Sequence, residues 1–188
     1  MSDPQARTRT PEFTTEVTVH VDGTKHAVRV DNRVTVLDLL RDHLGVTAPK
    51  KGCDHGQCGA CTVLLDGRRA TTCLALAVSH DGADVVTAAG LGTVDALHPV
   101  AQAFVDHDGF QCGYCTPGHI CSAVGMLDEL ESGAPSHVSA DLDQTAELTA
   151  AEIRERMSGN LCRCAAYPNI VAAIASVAGR SDPRKVTP

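Results

Sequence analysis

Tryptophan is absent, and aromatic residues make up only 3% of the chain. Any core must therefore be aliphatic, and the 43% apolar share, rich in Val, Leu and Ala, is enough to build one. No run of about 18 apolar residues occurs, so no segment reads as a membrane-spanning helix. Positive charge is also scarce. Sixteen Lys and Arg face 23 Asp and Glu, for a formal charge of -7. Basic residues cluster only in short pairs such as Lys50-Lys51 and Arg68-Arg69, which excludes a phosphate-binding surface for nucleic acid. There is no phosphate-cradling P-loop, no GxGxxG and no Ser-His-Asp logic. Residues 1–13 hold no apolar stretch of the kind a secretory signal needs, and Arg7 and Arg9 are not adjacent. The expectation is a cytoplasmic protein with a short disordered start.

What the chain does have is thiols, nine of them in 188 residues. That is too sparse for a disulfide-stapled mini-fold, and the odd count argues further against one. Metal or cluster ligation is the leading use.

The first half has strand grammar. Residues 16–21, EVTVHV, and 27–30, AVRV, alternate with period two around a turn at Asp22 to Thr24. Thr35 reads as a helix N-cap, with Val36, Leu39, Leu40 and Leu44 at helical spacing up to Gly45. TVLLDG, 62–67, predicts a strand and turn, with a return strand ending near Cys73, and DVVTA, 84–88, another strand. From about residue 92 helices take over. They are expected from Pro99 to near Asp108, from Pro117 to about Glu131, from a capping box at Thr149 and Glu152 to Gly159, and from near Pro168 through Val177. Four short helices predict an antiparallel bundle. Residues 132–148 break the pattern and read as an extended surface connection.

Cys53, Cys58, Cys61 and Cys73 have the spacing C-x4-C-x2-C-x11-C, whose first three positions match the plant-type 2Fe-2S pattern. Gly52, Gly56 and Gly59 let this loop bend around inorganic sulfurs with its N-H groups inward. Lys50 and Lys51 either bias the field at such a cluster or are plain solvated charges, the reading preferred here. The second set is Cys112 and Cys115 in QCGYC with Cys162 and Cys164 in LCRC. These fall in the first-to-second and third-to-fourth helix links, which lie at the same end of an up-down bundle. Tetrahedral zinc is the competing occupant of either set. Cys121, inside the second predicted helix, reads as a small buried hydrophobe. The nine histidines show no supported metal pair, most read as surface or capping residues, and His98 before Pro99 reads as a helix start.

GCDHGQCGAC with Cys73, then FQCGYCTPG (110–118) and GNLCRC (159–164), in this order, resemble the small iron-sulfur subunits of the xanthine oxidase family of molybdenum hydroxylases. The resemblance runs from about Glu16 to Ala178. It implies an α+β chain, with a β-grasp ferredoxin-like domain over 14–91 and an all-α four-helix-bundle domain over 92–180, each holding one 2Fe-2S cluster. The terminal segments 1–13 and 181–188 fall outside both. It also implies a large partner with molybdenum-pterin and a medium partner with FAD. Electrons would pass from molybdenum through the helical-domain cluster and the ferredoxin-like cluster to flavin. Gln111 and Cys164 match the residues that approach the pterin across the interface. Ala165 and Ala166 stand where a glycine-containing pair is common in the family. The long 132–148 segment is similar to that of bacterial aldehyde-oxidising members. Aldehyde oxidation is the leading expectation. The alternatives are a xanthine, N-heterocycle or carbon monoxide dehydrogenase subunit, a free-standing two-cluster ferredoxin, and a two-zinc interaction module.

Overall fold

The computed structural model describes residues 13–142 and 146–178. The expected disordered start, apart from Phe13, and the expected flexible end at 181–188 lie outside the described residues, as do 179 and 180. Among the described residues no helix is long and apolar enough to cross a membrane.

Strands β1 (Thr14–Val21) and β2 (Thr24–Asp31) form the expected hairpin, and Val17, Val19, Val21 and Val30 point inward. The turn is tighter than the sequence suggests. Thr24 pairs with Val21, so only Asp22 and Gly23 remain, both at positive φ (49° and 79°), the backbone of a two-residue primed turn. Asp22 also reaches across the fold: its carboxylate accepts from the Thr87 N-H at 2.7 Å and the Thr87 hydroxyl at 2.8 Å.

Thr35 caps α1 (Val36–Asp38) by accepting from the Asp38 N-H at 3.1 Å, as its sequence position predicts. The helix then widens into a π turn, Leu39–His43, which places Leu39 and Leu40 in the core together with Val36. Strand β3 (Thr62–Leu65) pairs with β4 (Arg68–Thr71) across the Asp66-Gly67 turn. As expected, β4 ends near Cys73, which itself lies in a 3-10 turn over Thr72–Leu74. This turn swings the thiol back towards the loop, where a continuing strand would carry it along the sheet.

Strand β5 (Asp84–Val86) lies between β1, which it meets parallel, and β3, which it meets antiparallel, giving the order β2-β1-β5-β3-β4. The mixed sheet with α1 packed on it is the β-grasp arrangement. Because side chains alternate across a strand, β3 serves two cores: Val63 and Leu65 join the sheet-and-α1 core, while Leu64 joins the core of the helical half.

The helical half comprises α2 (Pro99–Asp106), α3 (Thr116–Glu131), α4 (Ala150–Arg156) and α5 (Tyr167–Ala178). His98 accepts from the Val100 N-H and caps α2 as expected. Thr149 caps α4, but that helix ends at Arg156, short of Gly159. Phe104, Ile120, Met126, Ile153, Ile170 and Ile174 fill the core. The helices do not pack only on one another, since α3 also lies along β3 and β4. Gly125 makes this possible, because a Cβ there would sit 3.1 Å from the Arg69 Cβ.

Charge fastens the same seam. Arg69 on β4 grips Glu129 on α3 with two bonds of 2.7 Å and also donates to the Arg156 carbonyl. Arg156, almost fully buried, donates to Glu152 at 3.0 Å and to the Ala134 carbonyl at 2.6 Å, and Ser139 donates to Glu152 at 2.6 Å. The segment expected as an extended surface connection is tied down at Ala134 and Ser139. Burial alone would raise the Glu152 carboxyl, but the Ser139 and Ser136 hydroxyls and the Arg156 guanidinium outweigh it, and the net shift is downward.

Removing one member of a buried pair leaves an uncompensated charge, so Arg156→Met should cost about 3–5 kcal/mol in denaturant unfolding. A depressed carboxyl stabilises the fold at neutral pH, and that contribution is lost as pH falls through its folded pKa. Glu152→Gln should therefore flatten the acid limb of the stability profile, measured by melting temperature against pH.

Candidate metal centres

The residues between Gly52 and Cys61 form an irregular loop in which Asp54, Gly56 and Gly59 have left-handed backbone (φ 61°, 82° and 68°). The curl turns N-H groups towards sulfur. The Gln57 N-H lies 3.2 Å and the His55 N-H 3.5 Å from the Cys53 Sγ, and the Gly56 N-H lies 3.2 Å from the Cys73 Sγ. Room is limiting at Gly52, where a Cβ would stand 2.8 Å from the Cys58 Sγ. Gly56 is covered by Leu74, whose side chain occupies the space a Cβ would need.

All four expected thiols come together here, and they do so in pairs: Cys53 with Cys58, and Cys61 with Cys73. Hydrogen bonds, led by that from the His55 N-H, hold Cys53 down at about 6, whereas burial and then Cys61 push Cys73 up to about 11. Lys51 is not a free surface charge. It pairs with Asp38 at 2.8 Å and Asp54 at 3.2 Å, bracing the loop against α1. Lys50 donates to the Thr47 carbonyl.

The second set assembles from two distant links. Cys112 lies on an exposed turn, Cys115 is the N-cap residue of α3, and Cys162 and Cys164 follow α4. Cys112 meets Cys164, and Cys115 meets Cys162. The Tyr114 N-H and then Cys164 lower Cys112, while burial and then Cys162 raise Cys115 to about 12. The Ala166 N-H approaches the Cys162 Sγ at 3.4 Å, and the Cys162 N-H donates to the Tyr167 hydroxyl at 2.8 Å. Gln111 is exposed beside Cys112.

Cys121 is fully buried in α3, away from both sets, and burial pushes its thiol up to about 12. Its reading as a small hydrophobe suits that position. Among the histidines the exception to the surface-or-cap expectation is His119, 1% exposed, whose Nδ1 bonds the Cys115 carbonyl. Its fixed place one turn after Cys115 comes from the helix, which no local motif announces.

Donor chemistry fits iron and sulfide. Paired thiols suit two irons, each taking two thiolates, with backbone N-H groups left to bond sulfur.

Comparison with known proteins agrees with this geometry. Residues 19–84 match the model of the 2Fe-2S iron-sulfur cluster binding domain, and residues 87–175 match that of a second 2Fe-2S binding domain. The aldehyde oxidoreductase iron-sulfur-binding subunit PaoA of Escherichia coli K12 is 58% identical over 174 residues, covering 93% of this chain and 76% of that protein.

The chain belongs to the small iron-sulfur subunits of the xanthine oxidase family of molybdenum hydroxylases.

The family also includes more distant relatives. The nicotine 6-hydroxylase small subunit of Paenarthrobacter nicotinovorans is 39% identical over 92% of this chain and 95% of its own. Among solved structures, quinoline 2-oxidoreductase from Pseudomonas putida 86 superposes with a TM-score of 0.72 at 34% identity, covering 89% of this chain and 98% of that one. The aldehyde oxidoreductase of Desulfovibrio gigas gives 0.74 at 35% identity, with 88% of this chain matching 17% of a much longer one. With its two 2Fe-2S binding domains the protein carries two 2Fe-2S clusters, and relatives such as PaoA are named as subunits of oxidoreductases.

One family-level departure has a physical form. Ala165 adopts φ 58°, a left-handed conformation that costs an alanine about 1–2 kcal/mol and a glycine little. Ala165→Gly should therefore raise the thermal midpoint, with a net gain of about 0.5–1 kcal/mol after the added flexibility of the unfolded chain. Gly52→Ala should do the opposite to assembly: iron and acid-labile sulfide per chain should fall by about half, with the helical-half cluster retained.

Proposed function

We propose that this chain is the electron-transfer subunit of a cytoplasmic molybdenum hydroxylase that oxidises aldehydes to carboxylic acids. Cys112, Cys115, Cys162 and Cys164 hold the cluster that receives electrons from molybdenum-pterin in a large partner subunit. Cys53, Cys58, Cys61 and Cys73 hold the cluster that passes them to FAD in a medium subunit. Gln111 and Cys164 are the contacts to the pterin. The division of labour follows the proposed boundaries, a ferredoxin-like domain over 14–91 and a four-helix bundle over 92–180.

The observation that carries this reading is the presence of two separate sets of paired thiols in one small chain, with their loops in direct contact. Two adjoining clusters suit a relay between two redox partners. Support for an aldehyde comes from the 58% identity to a subunit of an aldehyde oxidoreductase, against 39% for one of a nicotine hydroxylase. Nine free thiols suit a reducing compartment. Within this chain the residues position and insulate: N-H groups bond the Cys53 and Cys73 sulfurs, and Leu74 covers the loop. The clusters, when bound, supply one-electron acceptors.

Iron and acid-labile sulfide assays with EPR of the reduced protein test the assignment. Two distinct 2Fe-2S signals are expected; zinc in place of iron, or one signal at full loading, would sink it. Cys162→Ala should remove only the helical-half signal and stop flavin reduction by an aldehyde in the assembled complex. Copurification with molybdenum and flavin separates a subunit from a free-standing ferredoxin, which would run alone.

A further inference from the structure

The loops of the two thiol sets touch backbone to backbone. The Leu161 N-H donates to the Cys58 carbonyl at 2.9 Å. Leu161 immediately precedes Cys162, so a short connection between the sets runs through the Cys58 backbone, one hydrogen bond, Leu161 and Cys162. Beside that bond sits Asn160, 4% exposed. Its Nδ2 donates to the Gly59 carbonyl at 3.0 Å, and its Oδ1 accepts from the Ser122 hydroxyl of α3 at 2.6 Å. The carboxamide is therefore bonded at both ends, to the first loop and to the helix that starts at Cys115. Gly59 is shaped to the same contact: at φ 68°, a Cβ there would stand 2.7 Å from the Asn160 Nδ2. Gly118 approaches from α3, where a Cβ would lie 3.0 Å from the Ala60 carbonyl.

We propose that Asn160 is a positioning residue for electron transfer between the two clusters, clamping their loops so that Cys58 and Cys162 stay on either side of a single hydrogen bond. The proposal rests on the assignment of these two cysteines as cluster ligands. The step it serves is the passage of one electron from the Cys112, Cys115, Cys162, Cys164 site, which is oxidised, to the Cys53, Cys58, Cys61, Cys73 site, which is reduced. No bond is made or broken. The alternative is that Asn160 only satisfies buried polar groups and the relay tolerates its loss.

The test uses the assembled, fully loaded complex and compares Asn160→Ala, Asn160→Asp and Ser122→Ala with the parent. Iron, sulfide and both EPR signals are measured first; a parent lacking two signals overturns the ligand assignment and not the clamp. With both clusters present, Asn160→Ala should weaken the magnetic splitting between the reduced clusters. It should also lower the rate of inter-cluster electron transfer. Asn160→Asp, which keeps the acceptor for Ser122 but faces the Gly59 carbonyl without a donor, should resemble Asn160→Ala. Ser122→Ala, which keeps the bond to Gly59, should show a smaller change of the same sign. Unchanged splitting and rate in Asn160→Ala or Asn160→Asp at full loading would overturn the proposal. If neither Asn160 variant assembles, Ser122→Ala decides, and parental behaviour there counts against the clamp.

Discussion

Much of the molecule depends on letting two irregular loops approach at backbone distance. Peptide groups at this depth must find partners or lose several times the worth of an ordinary hydrogen bond. Here the partners are one another: the Leu161 N-H takes the Cys58 carbonyl, and Asn160 takes the Gly59 carbonyl. That approach tolerates no side chain at Gly59 or Gly118. It also places α3 against the sheet, because the helix that presents Gly118 to the first loop continues along β3 with Gly125 at Arg69. The arrangement of the two halves thus follows from a contact of few atoms, reinforced at its far end by the Arg69, Glu129, Arg156 and Glu152 charges.

That reinforcement has a different physical character from the contact it supports. Buried charges are costly to desolvate, and apolar residues of equal volume often serve stability as well. What the ionic group adds is direction. A bidentate guanidinium fixes orientation as well as distance, so Arg69 sets how α3 lies on β4, while Arg156 carries the constraint onward to Ala134 in the connecting segment. The aliphatic cores on either side supply burial without comparable direction, as expected of a chain with no tryptophan and few aromatics.

Legibility in the sequence followed the range of the interaction. Period-two alternation and the Thr35, His98 and Thr149 caps act over a few residues, and each was readable. The thiols were readable because C-x4-C-x2-C is a local geometry imposed by the group it wraps. Features set by distant partners were not. The parallel pairing of β5 with β1 depends on residues far apart in the chain. Gly59 could be read as a bend around the first loop, but its second reason, the approach of Asn160, is carried by a residue 101 positions away. Lys51 is exposed, as a solvated charge should be, but its pairing with Asp38 was not readable, since Asp38 becomes its neighbour only once α1 packs beside the loop.

The thiol positions themselves say little about how far apart the two sets lie. Each set is built by its own local loop, and a spacing pattern leaves their relative placement free. In this fold that placement is fixed by groups that ligate nothing: a carboxamide, a serine hydroxyl, two glycines and the Tyr114 hydroxyl, which donates to the Lys51 carbonyl at 2.8 Å and joins the loops a second time. Electron transfer is sensitive to the connection between donor and acceptor, whereas ligation is sensitive only to its own shell. A sequence could therefore retain all eight paired thiols and still lose the relay through a change at Gly59, Gly118 or Asn160, because those residues determine whether the two shells share an edge.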